Sequence, residues 1–135
     1  MKLLFNVGKL VDATGAPVKE NMSVLVEDGC IAQIAPQGTI VAEGVTVIDA
    51  PHQTLIPGLF DLHFHHFLLL LQPVSGPGEV THMTDELIAT KIFKAANAAK
   101  VWLQSGVTTV RDAGAGQYLA VAIKEAIRDG YTPGA

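Results

Sequence analysis

In Leu55-Ile56-Pro57-Gly58-Leu59-Phe60-Asp61-Leu62-His63-Phe64-His65-His66, two histidines stand two apart in an apolar run. Pro57-Gly58 breaks whatever precedes it and starts a new element. Leu59, Phe60 and Leu62 then give the near-continuous apolar character of a strand buried on both faces, as in parallel sheets covered by helices. Side chains alternate along a strand, so His63 and His65 share a face and His66 points to the other. Neutral imidazole is a common metal-binding group, and two side by side can hold one face of a divalent ion. Asp61 in so apolar a run is costly unless it is paired or near a cation. The competing reading makes the histidines satisfied core groups and Asp61 a turn or edge residue.

Working outward, residues 59–65 read as a buried strand and 66–83 as a long connection containing Pro73, Gly76, Pro77 and Gly78. Such a loop in a compact domain is often functional. Thr84 is a candidate helix cap, with Asp85 and Glu86 in the first turn, where carboxylates suit the helix dipole. Ile88, Ile92, Ala95, Ala96, Ala99 and Leu103 recur at helical spacing, and Lys91, Lys94, Asn97, Lys100 and Gln104 form the wet face. Gly106 ends that helix. Val107-Thr108-Thr109-Val110 is the next strand. It runs into Arg111-Asp112-Ala113-Gly114-Ala115-Gly116, and a second helix follows. Leu119, Ala122, Ile123, Ala126 and Ile127 make its buried stripe, before Gly130 and Pro133 stop it. Strand, helix, strand, helix argues for a parallel sheet.

The preceding residues have a different grammar. Residues 3–11, 24–26, 31–34, 45–48 and 54–56 read as short strands. Asp28-Gly29 between two of them is a strong hairpin signal, because Gly tolerates the positive φ that primed turns need. Residues 1–56 therefore read as a small, mostly antiparallel β unit, and 57–135 as two β/α units.

Composition excludes several classes. The chain has 135 residues, 49% apolar and 16% charged, which is globular composition and one ordinary domain by length. Net charge is −4 with no basic cluster, so neither nucleic acid nor a membrane surface is the expected partner. Cys30 is the one cysteine, so no internal disulfide forms. The N-terminus has too short an apolar core for a secretion signal, and Phe67 to Leu71 is far short of a membrane span. A cytoplasmic location is expected.

The run Ile56 to His65 closely resembles the metal-binding signature of the amidohydrolase superfamily. Ser105-Gly106-Val107-Thr108-Thr109-Val110-Arg111-Asp112-Ala113-Gly114 is similar to the second barrel strand of its imidazolonepropionase-like and prolidase-like branch. The resemblance implies an α/β fold: the N-terminal part of a (β/α)8 barrel, preceded by a β-rich segment of a small composite β-sandwich. It implies that His63 and His65 bind a catalytic divalent metal, zinc above others, with one or two ions in the complete protein. It also implies hydrolysis of C–N bonds in a small-molecule substrate (amide, cyclic amide or dipeptide). The remaining ligands, a lysine, two histidines and the general-base aspartate, belong to later strands, beyond Ala135. Lys91, Lys94 and Lys100 lie on a helix and are not promoted.

A barrel needs roughly 250 residues, so this chain is expected to be an N-terminal fragment, probed by its mass in the native source. Alternatives are a non-catalytic remnant or assembly piece, and a module completing its site as a homo-oligomer. Arg111 and His66 are the substrate-binding candidates. Arg111 and Asp112 read equally as a structural ion pair at a strand end. Asp61 reads as orienting or structural, His82 as solvated surface, and Gly114 and Gly116 as turn glycines.

Overall fold

The computed structural model describes residues 1–65, 87–115 and 118–135, which form two compact units, Met1–Pro57 and Gly58–Ala135. Thr84, Asp85, Glu86, His66, His82, Gly116 and the long connection lie outside the described residues.

The first unit is a four-stranded sheet of β1 (Lys2–Leu10), β2 (Lys19–Glu27), β3 (Cys30–Pro36) and β4 (Thr46–Leu55), in the order β3-β2-β1-β4. β1 pairs antiparallel with β2, and β2 with β3, while β4 lies parallel to β1. The expected hairpin forms: Glu27 pairs with Cys30 across Asp28 and Gly29, whose φ values are +49° and +82°. Both are positive, as a type I′ turn requires.

Residues 45–48 and 54–56 are not two strands. They belong to the single strand β4, which bulges in its middle. Val7 faces Ala50, yet Lys9 faces Thr54, so β4 spends extra residues around Pro51, which has no N–H for the ladder. β1 passes this bulge at Gly8. A Cβ there would lie 2.1 Å from the Pro51 carbonyl oxygen and 3.0 Å from its carbon, so only glycine fits.

Val7, Leu10 and Val24 form the buried core of this unit, with Phe5, Met22, Val26, Ala50 and Leu55 packed against it. On the opposite face a polar row crosses three strands. Ser23, only 1% exposed, donates to Asn6 Oδ1 at 2.6 Å, and Asn6 Nδ2 donates to Asp49 Oδ1 at 2.6 Å. The row satisfies a buried hydroxyl that would otherwise cost stability.

The second unit runs β5 (Leu59–Phe64), α1 (Ile88–Gln104), β6 (Val107–Asp112) and α2 (Leu119–Arg128), with β5 and β6 parallel. These are the two β/α units read from the pattern. Ala95, Ala99, Leu119 and Ile123 form the core between the helices. α1 ends where Ser105 donates to the Val101 and Trp102 carbonyls and Gly106 to that of Leu103.

Three expectations change. α1 buries Ala95, Ala98 and Ala99, while Ile88 is exposed and Lys91 and Lys94 are half-buried. Ala95 and Ala99 lie where the helices approach, and Ala98 is buried beside them in sequence. In α2, Ala122 is exposed, while Leu119 and Ile123 are buried and Ile127 packs against the same core. Most consequentially, β5 is not buried on both faces. Leu59, Phe60 and Leu62 are 49%, 67% and 65% exposed, and Phe64 only 1%. Among the described residues β5 has one neighbouring strand, β6, and of its apolar side chains Phe64 alone is buried.

Candidate functional site

The site is built on the C-terminal ends of β5 and β6. The first requirement is close approach of the two strands where β5 begins. Leu59 donates its N–H to the Gly106 carbonyl at 2.9 Å. A Cβ on Gly58 would lie 2.0 Å from Thr108 Oγ1, 2.4 Å from its Cγ2 and 2.7 Å from its Cβ. Glycine therefore lets the start of β5 lie against β6.

Further along, the register slips: Asp61 faces Val110, but Phe64 faces Asp112. Three steps on β5 match two on β6, so one residue of β5 is left out of the ladder, as in a β-bulge. Asp61 Oδ1 accepts the His63 N–H at 3.1 Å within this slip. This is the orienting, structural part expected of Asp61, and it occupies the acid whose presence in an apolar run demanded a partner.

Phe64 turns into the unit and meets Trp102 of α1 edge to face, with ring centroids 5.0 Å apart. That contact anchors the strand end, worth about 1 kcal/mol beyond the area buried. With Phe64 inward, His63 and His65 stand on the other side. Their rings are 5.2 Å apart between centroids and nearly perpendicular, at 74°. His63 is exposed and His65 half-buried.

The His65 ring is held. Its Nδ1 lies 3.1 Å from the Gly114 carbonyl oxygen. A carbonyl only accepts, so Nδ1 carries the hydrogen, and in the neutral ring Nε2 keeps its lone pair. Metal-binding histidines commonly have this arrangement, one nitrogen donating to a carbonyl and the other free. Two imidazoles on one face thus fit part of a ligand set for a divalent cation. Among the described residues no third His, Cys, Asp or Glu joins them to make a group of three.

Asp112 ends β6 beside this pair. Its Oδ1 accepts the Gly114 N–H at 2.9 Å, and Ala113 donates its N–H to the Phe64 carbonyl at 2.7 Å. Arg111 is exposed and makes no ion pair with Asp112 among the described residues, so the ion-pair reading of these two does not hold. Successive strand residues point to opposite faces, which keeps the two side chains apart. A groove of about 470 Å³ runs between β6 and α2, lined by Val110, Asp112, Val121 and Ile127 among others; neither histidine lines it.

The Gly114 carbonyl, the Asp112 carboxylate and the Trp102 ring were not among the residues singled out for the histidine pair. A signal for Asp112 existed: Asp-x-Gly is a common way for a carboxylate to hold the N–H two residues on. Nothing local could have paired Trp102 with Phe64.

No family model matches the chain. A dihydroorotase from Citrifermentans bemidjiense is 35% identical over 65 residues, covering 48% of this chain and 15% of that protein. A solved amidohydrolase structure superimposes with a TM-score of 0.77 at 28% identity, over 99% of this chain and 30% of that one. The chain belongs to the amidohydrolase superfamily. A Xaa-Pro dipeptidase structure, which also belongs among these neighbours, gives a TM-score of 0.78 at 27% identity, over 99% of this chain and 32% of that one. This amidohydrolase chain thus spans under a third of the length of the solved neighbours and matches their N-terminal region. Its fold is accordingly α/β, with a β-rich segment preceding the β/α units. No helix among the described residues is long and apolar enough to cross a membrane.

Proposed function

We propose that this amidohydrolase chain contributes two ligands, His63 and His65, to the metal centre of a hydrolase that cleaves C–N bonds. The observation that carries the reading is the pair of imidazoles on one side of β5, with His65 Nε2 left free by the Nδ1–Gly114 bond. In the same reading, residues 1–56 are part of a small composite β domain and 57–135 the first two units of a (β/α)8 barrel. The parallel β5–β6 pair with α1 between supports that assignment. Barrel active sites form at the C-terminal ends of the strands, where the histidines stand.

A divalent cation, zinc by preference for imidazole, supplies the charge that polarises an acyl oxygen and favours hydroxide over neutral water as the attacking group. His63 and His65 hold their share of that cation. Asp61 keeps the backbone of His63 in place, and Phe64 anchors the strand between the ligands. The residue that moves the proton belongs to a later segment. Arg111, exposed near the end of β6, would meet a charged part of the substrate. The substrate is a small molecule with an amide, cyclic amide or dipeptide bond. The similar dihydroorotase and Xaa-Pro dipeptidase carry such bonds into the range.

The test is metal content and amide hydrolysis by the gene product containing these residues. His63→Ala and His65→Ala should each abolish stoichiometric zinc and activity. Metal content and turnover unchanged in both variants would sink the proposal. A second reading, a non-catalytic piece of the same fold, draws on the lack of a third converging donor among the described residues. A native mass of 14.2 kDa would favour it, and a larger one the hydrolase.

A further inference from the structure

The Asp112 carboxylate is linked to the His65 ring through the backbone of Gly114. We propose that Asp112 is the positioning residue that sets the tautomer and orientation of His65, by fixing the Gly114 carbonyl that accepts from His65 Nδ1. As regards metal, this rests on the reading of His65 as a ligand; the tautomer itself does not.

The chain of contacts is short. After β6 the backbone turns at Asp112-Ala113-Gly114. The Asp112 carboxylate accepts the Gly114 N–H at 2.9 Å, and the Ala113 N–H is held by the Phe64 carbonyl at 2.7 Å. Two bonds on successive amides clamp the turn, one to its own side chain and one to β5. The clamped turn aims the Gly114 carbonyl at His65, whose Nδ1 is 3.1 Å away. The His65 ring lies in ordinary van der Waals range of Gly114: a Cβ built there would sit 3.8 Å from His65 Cε1 and 3.9 Å from Nδ1.

A free histidine side chain in water favours hydrogen on Nε2, which would put the hydrogen on the nitrogen that must face the cation. A fixed acceptor at Nδ1 reverses that preference. His63 has no such acceptor among the described residues and serves as the internal reference. Removing the Asp112 carboxylate frees the Gly114 N–H and lets the turn rotate, and the carbonyl no longer has one position.

The experiment is nitrogen-15 NMR of the imidazoles in the metal-free chain at about pH 8, above the usual imidazole pKa of about 6.5. In the parent protein His65 should carry its hydrogen on Nδ1. In Asp112→Ala it should shift to a mixture dominated by Nε2–H, with His63 unchanged. Asp112→Asn keeps an acceptor oxygen and should restore the parent pattern. Trp102 fluorescence checks that the Phe64 contact survives. If Asp112→Ala loses that contact, Asp112→Leu, of similar reach and without an acceptor, replaces it. Zinc affinity, measured by competition with a chelator, should fall roughly 10-fold in Asp112→Ala, as for other outer-shell changes. An unchanged His65 tautomer in a folded Asp112→Ala or Asp112→Leu would overturn the proposal. So would Asp112→Asn behaving like alanine. If zinc fails to bind the parent protein while the tautomer shifts as described, the metal reading falls and the positioning role stands. If zinc binding depends on both histidines but the tautomer ignores Asp112, the reverse holds.

Discussion

Gly58→Ala is expected to loosen the strand that carries both histidines. The added Cβ would meet Thr108 Oγ1 at 2.0 Å, Cγ2 at 2.4 Å and Cβ at 2.7 Å. A rotation about χ1 of Thr108 can move the first two atoms, at some cost for a β-branched residue. It cannot move Thr108 Cβ. Carbon atoms rest near 3.5–4.0 Å, so the strands must part by roughly an ångström. That separation strains the bond from the Leu59 N–H to the Gly106 carbonyl. The cost should fall in the overpacking range of about 1–3 kcal/mol. Denaturant unfolding followed through Trp102, the one tryptophan, reads the change at β5 through its contact with Phe64. The atom list also dictates an order of rescue. Thr108→Ala removes two of the three contacts and should restore part of the loss in the Gly58→Ala background. Thr108→Gly removes all three and should restore more, with a coupling energy of about 1–3 kcal/mol in a double-mutant cycle. Equal stability of Gly58→Ala and parent, or simple additivity with Thr108→Gly, would refute the packing argument.

Other expectations concern the first unit. Gly8→Ala drives a Cβ into the Pro51 carbonyl, which is backbone and cannot rotate away. Its cost should reach or exceed the same range of about 1–3 kcal/mol, seen as a lower urea midpoint by circular dichroism. Asn6→Leu leaves the buried Ser23 hydroxyl without its acceptor and should cost about 1–3 kcal/mol; the pair Asn6→Leu with Ser23→Ala should recover most of it. Asp12 is held well below the usual carboxylate range by Lys19 and by the Thr14 hydroxyl and N–H. A pKa lower in the folded than in the unfolded state gives stability present above the unfolded value, about 3.9, and lost as pH falls. Acid unfolding of Asp12→Asn should therefore show a shallower loss below about pH 4 than the parent. A matching slope would mean the contacts do not persist in solution.

How far the fold was legible depended on the range of the information. The Asp28-Gly29 hairpin, the strand read at 59–65, the helix ending at Gly106 and the strand read at 107–110 follow from local chemistry. Each is a turn residue, an alternation or a helical repeat, and each forms. The single strand β4 was hidden because Pro51 interrupts its pattern. Only the parallel pairing with β1, and the room that Gly8 leaves, make residues 46–55 continuous. Burial of Leu59, Phe60 and Leu62 was misjudged for a related reason. An apolar run shows that a strand can be covered on both faces, whereas the cover itself comes from other segments.

The same distinction separates the two halves of the candidate site. His63-Phe64-His65 could be read directly, because a period of two puts both rings on one side whatever surrounds them. Their chemistry could not be read in that way. Two imidazoles become directed ligands only when their rings are oriented, and orientation here comes from 49 residues away in sequence, at Gly114. Without that carbonyl, His65 is one more histidine on a strand. With it, the lone pair of Nε2 has a fixed place. The β/α crossover is what makes this possible. It brings the end of β6 beside the end of β5 in parallel, so the turn after one strand can hold a side chain on the other. Any loop of similar length after β6 could sit nearby; the Asp-x-Gly turn is distinguished by clamping its own backbone. The functional content of the second motif therefore lies in Asp112 and Gly114, more than in the Arg111 that precedes them.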